Sequence, residues 1–279
     1  MTNRKPERAG SLLVLLVAGL LLWEESRRPL RRQTQSKPAR DVRNLGTALI
    51  SAIVVGLIEV PTVRPLANLV ERRTWGIRRL RLPQWAETVL AVLLMDYTLY
   101  LWHVAIHSCK FLWRFHQVHH VDLDMDVTTA FRFHFGEILL SVPYRWAQIL
   151  LIGVGRRSLA LWQRLLLLSV IFHHSNLHLP PRLESRLAWL VMTPRLHTIH
   201  HSVVEAETNS NWSSGLTLWD RMHGTFRLDV PAENVTIGVP AFQDPKKLTL
   251  IRLLKLPFGR QRPSWQLPPE TASSRQIPP

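Results

Sequence analysis

An all-α protein, an integral-membrane helical bundle with a histidine-rich helical cap, is the fold class this sequence predicts. Three observations predict it. Apolar residues make up 46% of the 279-residue chain and gather in runs, too many for a disordered basic segment. The net charge of +15 falls mostly between those runs, as Lys and Arg do in membrane-flanking loops. Thirteen histidines are present, and ten of them form four tight groups. The excess charge alone would also admit nucleic acid as a partner. No aromatic-interleaved basic patch or nucleic-acid motif occurs, so none is expected. A single cysteine, Cys109, excludes an internal disulfide framework.

The apolar runs give the elements in order. Ala9 to Trp23 is fifteen residues long and follows Arg4, Lys5 and Arg8. At about 1.5 Å per residue it falls short of the ~30 Å hydrocarbon core. No small-x-small cleavage site follows, so the run reads as an uncleaved short anchor. Residues 27 to 43 then hold seven Lys/Arg and one acid. Leu45 to Val63 is long enough to span. Ala67 to Leu82 lies in a second basic connection, six Arg and one acid over residues 64 to 81, and reads as an amphipathic segment at a membrane surface. Trp85 to Trp102 is apolar apart from Glu87 and Asp96 and leads directly into His103. Ile138 to Val154 and Ser158 to Phe172, joined by Gly155-Arg156-Arg157, read as a helical hairpin that enters the bilayer and returns. Runs this short also suit buried helices of a soluble core. The expected division is a short anchor and basic loop over residues 1–44, a membrane domain over 45–255, and a disordered tail over 256–279, where six prolines fall.

The histidines carry the chemistry. His103 and His107 are four apart; His116, His119 and His120 are spaced by three and four. His174 and His178 are again four apart, and His197, His200 and His201 repeat the second spacing. On helices such spacings bring side chains to one face. Packing ten desolvated imidazoles without a metal would be costly, so these ten are the candidate metal ligands. His134 and His223 stand alone and read as packed, hydrogen-bonded side chains; His173 adjoins His174 but points elsewhere on a helix. A structural zinc site usually uses thiolates, and this chain has one Cys. Neither H-E-x-x-H nor paired E-x-x-H is present. Ten imidazoles suit two ions with open positions, and an all-nitrogen pair of irons suits oxygen activation against an inert C–H bond. The alternative is a histidine-rich metal transporter or sensor, which would spread its ligands along spanning helices.

At these residues the chain resembles the fatty acid hydroxylase/sterol desaturase superfamily of membrane di-iron oxygenases. All four histidine boxes match, as do LWRFHQVHH, MDVTTAFRFH (Met125 to His134) with Glu137, TPRLHTIHHS (residues 193 to 202) and NWSSGLTLWDRMHGTFR (residues 211 to 227). The likeness covers about residues 96–227. Phe135, Val121, Trp212 and His223 depart from the usual phrases without touching a box histidine. The resemblance implies a cytosolic histidine-rich cap and a multi-pass integral membrane protein, in a bacterial inner membrane by its short chain. It also implies two Fe ions, O2 as co-substrate, and a lipid substrate (sterol, fatty acyl or isoprenoid) that is hydroxylated or desaturated in lipid biosynthesis. No haem-binding segment or dinucleotide fingerprint occurs, so electrons are expected from an external donor of ferredoxin or cytochrome b5 type.

Overall fold

The computed structural model describes residues 5–266, and among these the chain is helical without strands. Backbone pairing of β type is confined to three isolated bridges, Pro29–Leu177, Val191–Leu216 and Ser202–Ile237. The long helices are α1 (Lys5–Arg27), α2 (Lys37–Val54), α3 (Val60–Arg72), α4 (Gln84–Ser108), α5 (Lys110–His120), α6 (Phe135–Ile152) and α7 (Arg156–His174). Short helices follow: α8 (Pro181–Leu187), α9 (Pro194–His200), α10 (Glu205–Thr208), α11 (Leu218–His223) and α12 (Leu250–Lys255).

A π-helical turn, Val55–Glu59, joins α2 to α3 without a break in the helix. The cause is local. Pro61 and Pro65 have no N–H, and each ring crowds the carbonyl four residues earlier. The helix widens just before them, and the Val60 N–H reaches back to the Val55 carbonyl. The expected span, residues 45 to 63, is thereby part of a longer helix. Lys37–Leu80 and Gln84–Ser108 are the two stretches among the described residues long and apolar enough to cross a membrane.

The polarity of α2 is inverted relative to a soluble helix. Arg40, Asn44, Thr47 and Ser51 are buried, whereas Leu45, Leu49, Ile53 and Leu57 face outward at intervals of four. A helix with polar groups inward and an apolar stripe outward suits an apolar solvent.

α3, α4, α6 and α7 share one core, in which Val63, Ala67, Val70, Ala91, Met95, Ile149, Leu159 and Trp162 are buried. α1 packs along α7, with Leu21 against Ile171, Val127 and Ala130. α6 and α7 have 18 and 19 residues, roughly 27 Å each, and form a pair joined by a short turn, α6 packing mainly on α2 and α3 and α7 mainly on α1 and α4. Its turn is locked against the loop after α3. Gly153 (φ 84) and Gly76 (φ 54) have left-handed backbones, and a Cβ on either would collide with the other loop's carbonyl, Trp75 or Ile152.

Two expectations are corrected here. Residues 67–82 do not form one amphipathic surface segment. Residues 67–72 continue α3, with Ala67 and Val70 in the bundle core, and only Gly76–Leu80 form a separate 3-10 turn. The stretch from 256 onward is not a free tail as far as it is described. Phe258 packs on Phe115, Trp265 stacks on Trp113 at 5.8 Å, and the Trp113 indole donates to Ser264 Oγ. Those aromatic contacts outweigh the chain-stiffening prolines that made the segment look unfolded. The expected tail from 267 lies outside the described residues.

Candidate metal centre

Helices α4, α5, α7 and α9 deliver the histidines to one end of the bundle. α4 brings His103 and His107 on one face, and α5 brings His116, His119 and His120. α7 ends on His174, and α9 carries His197 and His200 with His201 at its C-terminal cap. Thr193 caps α9, its hydroxyl accepting the Leu196 N–H, with Pro194 opening the first turn.

The imidazoles gather into two groups. His103, His107, His116, His120 and His200 place one nitrogen each within 4.8 Å of one another, and His119, His174, His197 and His201 do the same. Nine of the ten predicted ligands are brought together in this way. His178 is not. The helix stops at His174, Ser175 is extended, and His178 ends exposed with its backbone N–H on the Arg28 carbonyl. The i, i+4 geometry assumed for 174 and 178 therefore does not exist. His173 is buried instead, its ring 4.1 Å from that of His197. His134 is a packed side chain: it caps α6 by accepting the Gly136 N–H and lies 3.1 Å from the Leu254 carbonyl. His223 stacks beside Tyr97 and Tyr100.

Hydrogen bonds fix which ring nitrogen is free. His103 Nδ1 faces the Trp212 carbonyl at 2.6 Å, His200 Nδ1 the Ser210 carbonyl at 2.8 Å and His174 Nδ1 the Val170 carbonyl at 2.8 Å. A carbonyl only accepts, so each of these Nδ1 atoms bears the proton. Glu137 accepts from His116 Nδ1 at 2.9 Å in the same way. The Nε2 atoms of His103, His116 and His200 are then bare lone pairs in one group. Those of His103 and His116 face each other at 3.3 Å, and His120 Nε2 comes within 3.2 Å of His116 Nε2. In the second group His174 Nε2 lies 3.0 Å from both His119 Nε2 and His197 Nε2.

Facing lone pairs repel unless a cation lies among them. A proton is a poor candidate. Burial, reinforced by neighbouring imidazoles, holds His119, His120, His197 and His201 well below the usual histidine value and His200 at about 3. Nitrogens about 2.1 Å from a shared ion and at right angles are ~3.0 Å apart, matching the observed spacings. The residues present therefore fit two metal ions, each with all-imidazole donors.

Comparison with known proteins reaches the same place. The fatty acid hydroxylase family model matches residues 88–225, a stretch that holds every histidine of both groups. The chain belongs to the fatty acid hydroxylase/sterol desaturase superfamily. It is 30% identical over 158 residues to the ornithine lipid hydroxylase OlsE of Rhizobium tropici, covering 56% of this chain and 46% of that protein. It is 32% identical over 144 residues to alkylglycerol monooxygenase of Xenopus tropicalis (51% and 30%), and 24% identical over 176 residues to cholesterol 25-hydroxylase of Rattus norvegicus (60% and 56%). The chain thus spans from under a third to just over half of the length of these relatives. No solved structure matches.

Some supporting residues lie outside the family match, where the sequence carried no motif. Arg40 of α2 is fully buried against Asp122 and Asp126, and Arg132 pairs with Asp122 at 3.2 Å. Asp124 accepts the Thr34 and Gln35 N–H groups at 2.8 Å. The alternation Asp122-x-Asp124-x-Asp126 directly after the second histidine box was the available sign of this network. Glu25, at the end of α1, accepts from the Val127 and Asn176 N–H groups, tying together the loops that follow two histidine boxes.

Proposed function

We propose that this chain is a multi-pass membrane di-iron oxygenase that inserts one oxygen atom of O2 into a C–H bond of a lipid. The observation that carries the reading is the pair of imidazole groups whose Nε2 atoms converge. Two iron ions would supply O2 activation there. The rest follows from the chain's own residues. His103, His107, His116, His120 and His200 would hold one ion, and His119, His174, His197 and His201 the other. Carbonyls of Trp212, Val170 and Ser210 and the Glu137 carboxylate orient the rings that they touch. Burial of both groups keeps bulk water from the reacting atoms.

The named relatives support hydroxylation over desaturation, since each of the three is a hydroxylase or monooxygenase. Their names have an ornithine lipid, an alkylglycerol and cholesterol in common as lipids, so an amphipathic lipid is assigned as substrate. The inverted polarity of α2 supports a bilayer around the bundle. With the histidine end cytosolic, the exposed Arg27, Arg28 and Arg32 offer a docking surface to an acidic ferredoxin or cytochrome b5 type donor. The overall reaction then balances: lipid C–H, O2, two electrons and two protons give lipid C–OH and water.

The test is direct. Purified chain loaded anaerobically with Fe(II) should bind two irons, and His119→Ala or His200→Ala should lose them. With a reductant and a membrane lipid extract under 18O2, mass spectrometry should find one 18O in a lipid hydroxyl. A chain that holds no iron yet carries Zn²⁺ into vesicles would be the transporter instead.

A further inference from the structure

We propose that a surface outside both candidate spans, formed by residues 182–190 and 218–222, is seated in the bilayer leaflet next to the metal centre. The proposal rests on the membrane reading above and goes beyond it, because these residues lie outside every apolar run of the sequence and outside both candidate spans. The outer face of the surface is apolar. Trp189 and Leu190 are each 67% exposed and Met222 is 64% exposed, with Leu183 and Leu218 beside them. These side chains belong to adjoining segments. The Thr217 N–H donates to the Leu190 carbonyl, the Thr217 hydroxyl to the Ala188 carbonyl, and Val191 bridges to Leu216. Leu218 and Met222 lie one turn apart on the same face of α11.

Two independent contacts set the depth of this surface. On α4, the Asp96 carboxylate accepts from the Leu216 N–H at 3.0 Å and the Trp219 indole at 2.7 Å. The next residue, Tyr97, packs on Trp219 and bonds His223. On α7, the Ser169 hydroxyl donates to the Ser214 carbonyl. Asp96 lies seven residues before His103, about 10 Å along the helix, and Ser169 lies five before His174, about 8 Å. Both contacts point into the apolar length of the bundle, away from the histidine end. Outward-facing side chains at that level meet whatever solvent surrounds α4 and α7.

The rim of the surface has the charge for that solvent. Arg182 and Arg186 are exposed one turn apart on α8. The Arg221 guanidinium sits 4.0 Å over the Trp189 ring. Arginines around exposed tryptophan and leucine are the arrangement of a headgroup boundary, where the cation meets phosphate and the ring lies just beneath. An apolar patch of this kind facing water would be a liability. The same segment carries the Trp212 carbonyl that orients His103, so a lipid resting on the patch lies beside the metal centre rather than across the bundle from it. The surface is covered by a bilayer leaflet containing anionic phospholipid.

Depth-dependent quenching tests this. In a full-length Cys109→Ser background, single probes are introduced by Leu190→Cys, Met222→Cys and Trp189→Cys, all at exposed sites that tolerate a label. Leu165→Cys on the outward face of α7 serves as the bundle control and Glu233→Cys as the water control. Each is labelled with an environment-sensitive fluorophore and reconstituted into phosphatidylglycerol/phosphatidylcholine vesicles carrying doxyl lipids. The probes at 189, 190 and 222 should be quenched at least twofold more than the probe at 233, most strongly by a doxyl group near the headgroup. The probe at 165 should be quenched most by a deeper one. Quenching at 165 with none at 189, 190 or 222 overturns the patch alone and leaves it facing water or a protein partner. No quenching at any site, 165 included, overturns the membrane reading and the patch with it.

Discussion

His116 sits between the two demands made on a metal-binding histidine. Its Nδ1 donates to Glu137, and its Nε2 meets the Nε2 atoms of His103 and His120. Glu137 would thus act on a bound ion only through the orientation and basicity of the His116 ring. Partners of this kind typically affect metal affinity by about 10–100-fold. Glu137→Ala should therefore weaken iron retention by that order in a chelator titration, while the far-UV CD spectrum stays helical. His178→Ala should leave iron content at the wild-type value, because that ring is exposed and belongs to neither group. Loss of iron from His178→Ala would restore it as a ligand. At this scale the sequence spacing was informative where the helix is continuous, as on α4 and α5. It misled at 174 and 178, where periodicity was projected past a helix end, whereas His173, set aside for its direction on the helix, belongs to neither group.

Elements were legible wherever an apolar run was long. The runs at 85–102 and 158–172 appear as helices extended at both ends, since the helix hydrogen-bond ladder continues beyond the apolar stretch, whereas the 138–154 run gives a helix that starts early at Phe135 and stops inside the run at Ile152. The stretch from 67 to 82 was misread because its arginines suggested a surface, although Ala67 and Val70 pack into the core and the charges lie on the other face and in the loop. Turn chemistry was the least visible. Gly153 ends α6 in the left-handed region against the Trp75 carbonyl. Gly153→Ala should cost about 1–3 kcal/mol from backbone strain alone, with further loss from the collision. Thermal unfolding in detergent should show a lowered midpoint, and an unchanged midpoint would mean that this turn is not locked.

Across the whole molecule, α2 is bound to the histidine domain by buried charge and α1 by apolar packing and the Glu25 carboxyl. Arg40 is enclosed by Asp122 and Asp126, and removing one partner of such a cluster costs about 3–5 kcal/mol because the remaining charge stays buried. Arg40→Met should destabilise the chain by that order in denaturant unfolding. The pH dependence has a definite sign. Burial opposes ionisation of Asp126, but Arg40 and Lys37 outweigh it and hold the carboxyl at about 2, below the ordinary 3.8. A depressed carboxylate contributes its full stability above the unfolded value and loses it as pH falls toward the folded one. The melting temperature should show no Asp126-dependent slope between pH 7 and 5 and should fall between about pH 4 and 2, with a shallower fall in Arg40→Met. The sequence by itself determined the helical class, the apolar runs and the residue types of the metal centre, because periodicity and spacing are local properties of the chain. The tertiary structure decided which nitrogens converge, which histidine drops out, and that an inverted α2 and a buried charge cluster hold the centre in place. Those outcomes depend on where distant segments end and meet, and local spacing carries no record of it.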